Sequence, residues 1–189
     1  VFGLLAGTVL ALMRMASFPV YRWLATGYIE FFRGIPAILV FIALGFGASL
    51  AFGLNLSTLQ TAATALAIVG SAYIAETIRA GLQAVPKGQV EAARALGLNF
   101  MQAATQIILP QAFRGAIAPL GSVVIALIKN STVAAVIGVG DSAGLMQIIT
   151  ENEGASLPMF FFFAMVFVIL TLPIGLGTTS LSRKLAVKR

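Results

Sequence analysis

Five apolar runs restrict this chain more than any other feature. They cover Val1 to Met13, Ile35 to Leu54, Leu59 to Ala75, Gly115 to Gly140 and Met159 to Leu181. A helix needs about 20 apolar residues to cross a hydrocarbon layer of about 30 Å. In lipid a backbone must satisfy its own peptide groups, so helices are the natural form for such runs. Hydrophobic residues make up 59% of the chain and charged ones only 10%, against about 25% charged in soluble domains. The expected fold is therefore all-α, a polytopic membrane bundle of about five helices in a single domain over residues 1–189. The first run reaches only about 20 Å at 1.5 Å per residue, which reads as a first helix cut part-way. A cleaved signal peptide is the rival reading, but Ala16-Ser17-Phe18-Pro19 is not the polar start that processing leaves.

Composition also removes most chemistry. The sequence has no Cys, no His and six carboxylates. Thiol catalysis, disulfides and Cys-ligated zinc are excluded, and few groups remain for a metal site, a cofactor or an acid/base centre. No GxxxxGK[ST] pattern occurs, so ATP binding is not expected in this chain. The net charge of +6 would raise nucleic acid in a soluble protein. Here no basic face interleaved with aromatics supports it.

The basic residues instead mark orientation. Arg14, Arg22 and Arg33 lie between runs one and two. Arg79, Lys87, Arg94 and Arg114 lie between runs three and four, and Arg183, Lys184, Lys188 and Arg189 follow run five. If the runs alternate in direction, eleven of the 12 basic residues fall on one side. The other connections, Asn55 to Thr58 and Asp141 to Pro158, contain no Lys or Arg but hold Asp141, Glu151 and Glu153. The positive-inside rule then places the N-terminus outside and the C-terminus in the cytoplasm.

The connection from Glu76 to Arg114 is the longest polar stretch. Gln89 to Leu96 is rich in helix formers, Gly97 can close that helix, and Phe100 to Leu109 can form a second before Pro110 stops it. Two short helices about a glycine hinge suit a docking element; a helix lying on lipid headgroups is the alternative. Glu30–Arg33, Glu76–Arg79 and Glu91–Arg94 share i,i+3 spacing, and solvated local pairs of about 0.2–0.5 kcal/mol are the simple expectation for each.

Spacing adds a family resemblance. Glu91-Ala92-Ala93, then Gly97, Ile107 and Leu109-Pro110, matches the EAA motif of permease subunits in ATP-driven bacterial importers at every fixed position. Tyr28-Ile29-Glu30-Phe31-Phe32-Arg33-Gly34-Ile35-Pro36 resembles the entry to the second helix of polar amino-acid permeases, with Ile35 where Thr is usual. Pro119-Leu120-Gly121, Leu127 to Thr132 and Val136 to Val139 resemble their fourth helix. The similarity runs from about Arg14 to Arg189 and is greatest to actinobacterial glutamate-type permeases.

The resemblance implies the MetI-like permease fold of type I ABC importers in a bacterial cell membrane. It also implies that residues 76–114 form a cytoplasmic coupling loop, in which Glu91, Ala92, Ala93, Gly97, Ile107, Leu109 and Pro110 dock on the ATPase. The implied partners are two ATP-binding subunits, a second permease subunit (a different one in the glutamate-type systems), an extracytoplasmic binding protein and membrane lipid. The implied cargo is a polar amino acid, with glutamate ahead of glutamine, arginine, histidine or cystine. A membrane enzyme would need clustered catalytic groups that are missing, and a passive channel needs no coupling loop. Lys129, the one basic residue outside the cytoplasmic connections, follows the apolar stretch from Gly115 to Ile128. An ionised side chain at that depth calls for protein or water. With Asn130, Ser131 and Thr132 it is a candidate for the substrate pathway, the alternative being that it snorkels outward or pairs with a partner's acid.

Overall fold

The computed structural model describes residues 1–53, 56–140, 142–153 and 156–185, and among them it contains no strand. Asn55, Asp141, Lys188 and Arg189, used above for orientation, lie outside the described residues. Helix α1 (Phe2–Met15) is the short first run and ends before Pro19. Helix α2 (Pro19–Gly34) opens on that proline, where a missing N–H costs little. It turns through 106° into the next helical stretch. Pro36 caps that stretch, which runs as α3 (Ala37–Ile42), a π-turn at Ala43–Gly47 and α4 (Ala48–Phe52). The second span is thus broken at Ile35-Pro36, the joint where proline disfavours a continuous helix.

Helix α5 (Thr58–Gln83) begins with a capping box: Ser57 Oγ accepts from the Gln60 N–H at 3.2 Å, and Gln60 Oε1 accepts from the Ser57 N–H at 3.0 Å. The third run was expected to stop at Glu76. It does not, and Glu76 and Arg79 ride on the helix for two more turns. Helix α6 (Lys87–Ala95) follows, then α7 (Phe100–Ala103), a π-turn at Ala104–Ile108 and α8 (Leu109–Asn130). Pro110 was expected to end the second short helix, and this too is corrected. Phe100 to Ile137 is one continuous helical stretch of 38 residues. The π-turn widens the register just ahead of Pro110, which then sits in the first turn of α8, where proline is tolerated. A 3₁₀ stretch (Ser131–Ile137) ends α8, then α9 (Ser142–Glu153) and α10 (Ser156–Leu185) complete the chain.

Helix α5 is the centre, packed by α1, α2 and α8, while α10 packs on α8. The crossings are made by small residues. A Cβ on Gly7 would meet Ile74 Cβ at 2.8 Å, and one on Gly81 would meet the Ala112 carbonyl at 2.8 Å and Ala116 Cβ at 3.0 Å. A Cβ on Gly121 would collide with Thr178. Without a hydrophobic drive between helices in lipid, such close approach supplies much of the attraction. Of the glycines in the runs, Gly45 and Gly70 also meet close neighbours, whereas Gly47, Gly53, Gly138, Gly140 and Gly177 have open space beside them.

These contacts set relative directions. Gly3 lies beside Ala67 and Gly7 beside Ile74, so α1 and α5 run parallel. Gly81 meets Ala112 and Gly70 meets Leu127, so α8 runs against α5; Gly121–Thr178 and Gly175–Ile125 set α10 against α8. Replacing Gly81 with Leu should therefore separate α5 from α8 and cost about 1–3 kcal/mol. The midpoint of heat-induced unfolding in detergent should fall by several degrees, while Gly177→Ala leaves it unchanged. Equal midpoints for both variants would rule out the close crossing.

Candidate functional site

The element between α5 and α8 is built from local rules. Helix α6 ends in a Schellman turn: the Gly97 N–H donates to the Arg94 carbonyl at 3.0 Å and the Leu98 N–H to the Ala93 carbonyl at 3.1 Å. Gly97 has φ +76°, a left-handed conformation that glycine adopts without a Cβ penalty. Two residues on, Asn99 Oδ1 accepts from the Gln102 N–H at 2.9 Å and Gln102 Oε1 accepts from the Asn99 N–H at 3.0 Å. This Asn-x-x-Gln capping box fixes where α7 begins. It was legible as a helix-start pattern, although the sequence reading passed over it.

The motif residues divide by exposure. Glu91, Ala92, Gly97 and Leu109 are exposed, while Ala93 is 0% exposed and belongs to the packing of α6. Ile107 and Pro110 are half-buried and line a cleft of about 700 Å³ together with Gln89, Arg114 and, from α10, Ser182 and Leu185. Glu91 and Arg94 form no ion pair among the described residues. Leu96 and Phe100, which the motif does not include, are 78% and 82% exposed, and Met101 is exposed beside them. Large apolar side chains at the tip of an otherwise polar connection are the kind of patch that a partner covers.

A second cluster was not anticipated as a unit. Glu76 accepts from Arg14 Nη1 at 2.8 Å and from Arg79 Nε at 2.9 Å, with Arg79 Nη2 on its other oxygen. Arg14 also reaches Glu30 at 2.7 Å, and Arg33 lies 3.9 Å from Glu76 and 4.0 Å from Glu30. The expected solvated local pairs are corrected for Glu30 and Glu76. The last turns of α1 and α2 converge on α5, so one carboxylate with 21% side-chain exposure is shared by three arginines from three helices. Spacing within one helix cannot reveal partners on two others. Nearby, Tyr28 bonds to Ser71 Oγ at 3.0 Å and donates to the Ile68 carbonyl at 3.2 Å, anchoring α2 to mid-α5.

Lys129 stands exposed at the end of α8, two residues past Leu127, which packs against Gly70. Gly70 is near the middle of α5, so Lys129 is about 3 Å along the helix axis from the level of that middle. The hydroxyls beside it are committed to backbone: Ser131 donates to the Ile128 carbonyl at 2.8 Å and Thr132 to the Lys129 carbonyl at 2.7 Å. The side chains of Lys129 and Asn130 make no hydrogen bond or ion pair with the described residues. Among the described residues no cluster of three metal-ligating side chains occurs.

This is a membrane-embedded, all-helical subunit with one polar helical element projecting between two spans. Its residues 3–187 match the family described as "Binding-protein-dependent transport system inner membrane component". The chain belongs to that family, as a permease subunit of an ABC transporter. It is 43% identical to the glutamate transport system permease protein GluC of Corynebacterium glutamicum, over 97% of this chain and 86% of that one. It is 39% identical to the probable glutamine ABC transporter permease protein GlnM of Bacillus subtilis, over 95% and 82%. Among solved structures, an amino acid ABC transporter crystallised with histidines shares 34% identity and a TM-score of 0.89, over 97% of this chain and 85% of that one. The MetNI methionine ABC transporter, at 22% identity and TM-score 0.74 over 98% and 86%, shares the fold.

The Glu76 cluster should matter for stability. Glu76→Gln leaves Arg14 and Arg33 to Glu30 alone and Arg79 with no ion-paired carboxylate among the described residues. It should cost about 2 kcal/mol, the scale of a charged hydrogen bond. Glu91→Gln, on an exposed surface, should cost nothing measurable. Heat-induced unfolding of the two variants in detergent compares them directly, and an unshifted Glu76→Gln would remove the cluster's structural role.

Proposed function

We propose that this chain is one of two permease subunits of an ATP-driven importer that brings a polar amino acid, most readily glutamate, across a bacterial cell membrane. The observation that carries the cargo is the 43% identity, along nearly the whole chain, to a glutamate transport permease. The second permease is a paralogue, as the resemblance to glutamate-type systems implies. ATP is hydrolysed on two separate cytoplasmic subunits, and an extracytoplasmic binding protein delivers cargo. The N-terminus is outside and the C-terminus cytoplasmic, supported by the partition of basic residues and by the alternating helix directions.

The docking element for the ATPase is centred on α6. Exposed Glu91 and Ala92 give it a polar, small-residue surface, and the Leu96–Phe100–Met101 patch gives it apolar anchors. Gly97 sets the angle between α6 and α7. Ala93, Ile107 and Pro110 of the same motif hold α6 against the base of α8, with Leu109 exposed beside them, so that a push on α6 reaches a spanning helix. Lys129 and Asn130 stand in the substrate pathway near mid-depth, with Ser131 and Thr132 offering acceptor oxygens. Lys129 supplies a charge for a cargo carboxylate.

One labelling experiment tests both orientation and docking. A cysteine at the exposed position Ala92, in a chain with no other Cys, should react with a membrane-impermeant maleimide in inverted vesicles stripped of ATPase subunits. It should be protected when those subunits rebind, and it should stay unreactive in intact cells. Reaction from outside intact cells would overturn the orientation, and equal reactivity with and without the ATPase would overturn the docking site.

A further inference from the structure

Helix α8 is held between α5 and α10 and leaves two opposite strips uncovered, and the two differ in chemistry. At about 100° per residue, Phe113 and Val124 fall on one side, and both are exposed. Gly115, Pro119, Ser122, Ala126 and Lys129 fall within about 80° of one another on the other side, and all five are exposed. Phe113 and Val124 suit lipid. The opposite strip carries a hydroxyl and an ammonium, and an ionised group near mid-depth is costly in hydrocarbon unless protein or water meets it.

Grooves lie on both flanks of that strip, each bringing polar groups in among apolar side chains. Between α8 and α5 lies a cleft of about 280 Å³ lined by Tyr73, Ser122, Ala126 and Asn130. The Tyr73 hydroxyl and the Asn130 amide make no hydrogen bond with the described residues. Between α8 and α10 lies a second cleft of about 770 Å³, in which apolar Ile125, Leu172 and Leu176 stand beside Thr171, Thr179 and Arg183. The Gly175–Ile125 and Gly121–Thr178 contacts place Thr171 near the level of Lys129 and Arg183 toward the end where α5 crosses α8 at Gly81. The outward surface of the same α10 presents apolar Ile169 and Leu170 along its middle. Ser122 and Thr171 donate to carbonyls of their own helices and keep an acceptor oxygen each. The groups on this side left unpaired among the described residues include the Tyr73 hydroxyl, the Asn130 amide and the Lys129 ammonium, and the opposite exposed strip of α8 carries none.

We propose that this side, defined by Tyr73, Ser122, Lys129, Asn130, Thr171 and Arg183, is the chain's wall of a water-filled path for a small carboxylate-bearing solute. The cargo carboxylate meets Lys129 near mid-depth and then passes Ser122 toward Arg183, while Tyr73 and Asn130 offer hydrogen bonds along the way. Both grooves are open along one side, so the second permease subunit completes the enclosure. The proposal rests on the reading of Lys129 as a pathway group and extends it to residues that neither the motif nor the sequence reading picked out.

The absence of Cys makes the test direct. Ser122→Cys, Asn130→Cys, Val124→Cys and, on the outward side of α10, Ile169→Cys are placed singly in the importer assembled with its partner subunits, in membrane vesicles. A charged thiosulfonate reagent should modify positions 122 and 130 more than about tenfold faster than 124 and 169, because it is excluded from hydrocarbon. Modification at Ser122→Cys should stop glutamate uptake while the ATPase subunits stay bound. Tyr73→Phe, which removes one hydroxyl, should slow uptake about fivefold, the scale of one hydrogen bond. Inert cysteines at 122 and 130, equal rates at all four positions, or full uptake after modification would each overturn the path. The unmodified importer is measured alongside. If it takes up no amino acid, the importer reading fails, and the four labelling rates still decide which side of α8 faces water.

Discussion

The close burial of α5 among α1, α2 and α8 is the constraint on which the rest of this chain depends. Lipid gives helices little reason to associate, so contact must come from close packing and polar pairing. Both converge on α5: Gly7 and Gly81 bring backbones together at its two crossings, and Glu76 collects arginines from α1, α2 and α5 itself. The carboxylate also explains why α5 continues past the apolar run. With its charge shared among three cations, the helix carries Glu76 and Arg79 to the crossing at Gly81. The same pairing fixes the end of α2, and hence the 106° bend from which the second span departs.

That arrangement gives the proposed coupling a mechanical path. Helix α6 projects just beyond the Gly81 crossing, and its packing residue Ala93 is buried at the foot of the stretch that becomes α8. From Phe100 this stretch runs without a stop to Ile137. A displacement of α6 by an ATPase subunit therefore reaches Lys129 through one continuous helix. The π-turn at Ala104–Ile108 is the one place on that route, among the described residues, where the register departs from α-helical before the 3₁₀ end. It lies next to the cleft formed by Ile107 and Pro110. The motif residues fall into two physical kinds, those that are exposed and those packed at the foot of α8, which the proposed coupling uses as surface and as link.

How much of this was readable from the residues follows from the range of each interaction. The five runs and their polarity were legible because hydropathy is summed over many neighbouring residues, and each run has a helical counterpart here. The turn at Gly97 was legible because a left-handed closure is encoded within a few positions. Pro110 misled because a π-turn, formed by Ala104–Ile108, absorbs the proline without breaking the helix. The Glu76 cluster was invisible to spacing, since Arg14 is 62 residues away and on another helix. The two strips of α8 were hidden for the same reason: which strip faces which neighbour is decided by α5 and α10. Gly81 and Gly121 do most of that work, through close contacts with Ala112 and Thr178 on other helices.

The central claim is that this permease works as half of an ATP-driven amino-acid conduit. Its most direct test is uptake of labelled glutamate into proteoliposomes holding the chain, its partner permease, the ATPase subunits and the binding protein. Uptake that requires both internal ATP at the ATPase face and external binding protein, and that unlabelled glutamate suppresses at lower concentration than glutamine or arginine, is the predicted result. Flux that proceeds without ATP, or an assembled complex that takes up no amino acid at all, would contradict it.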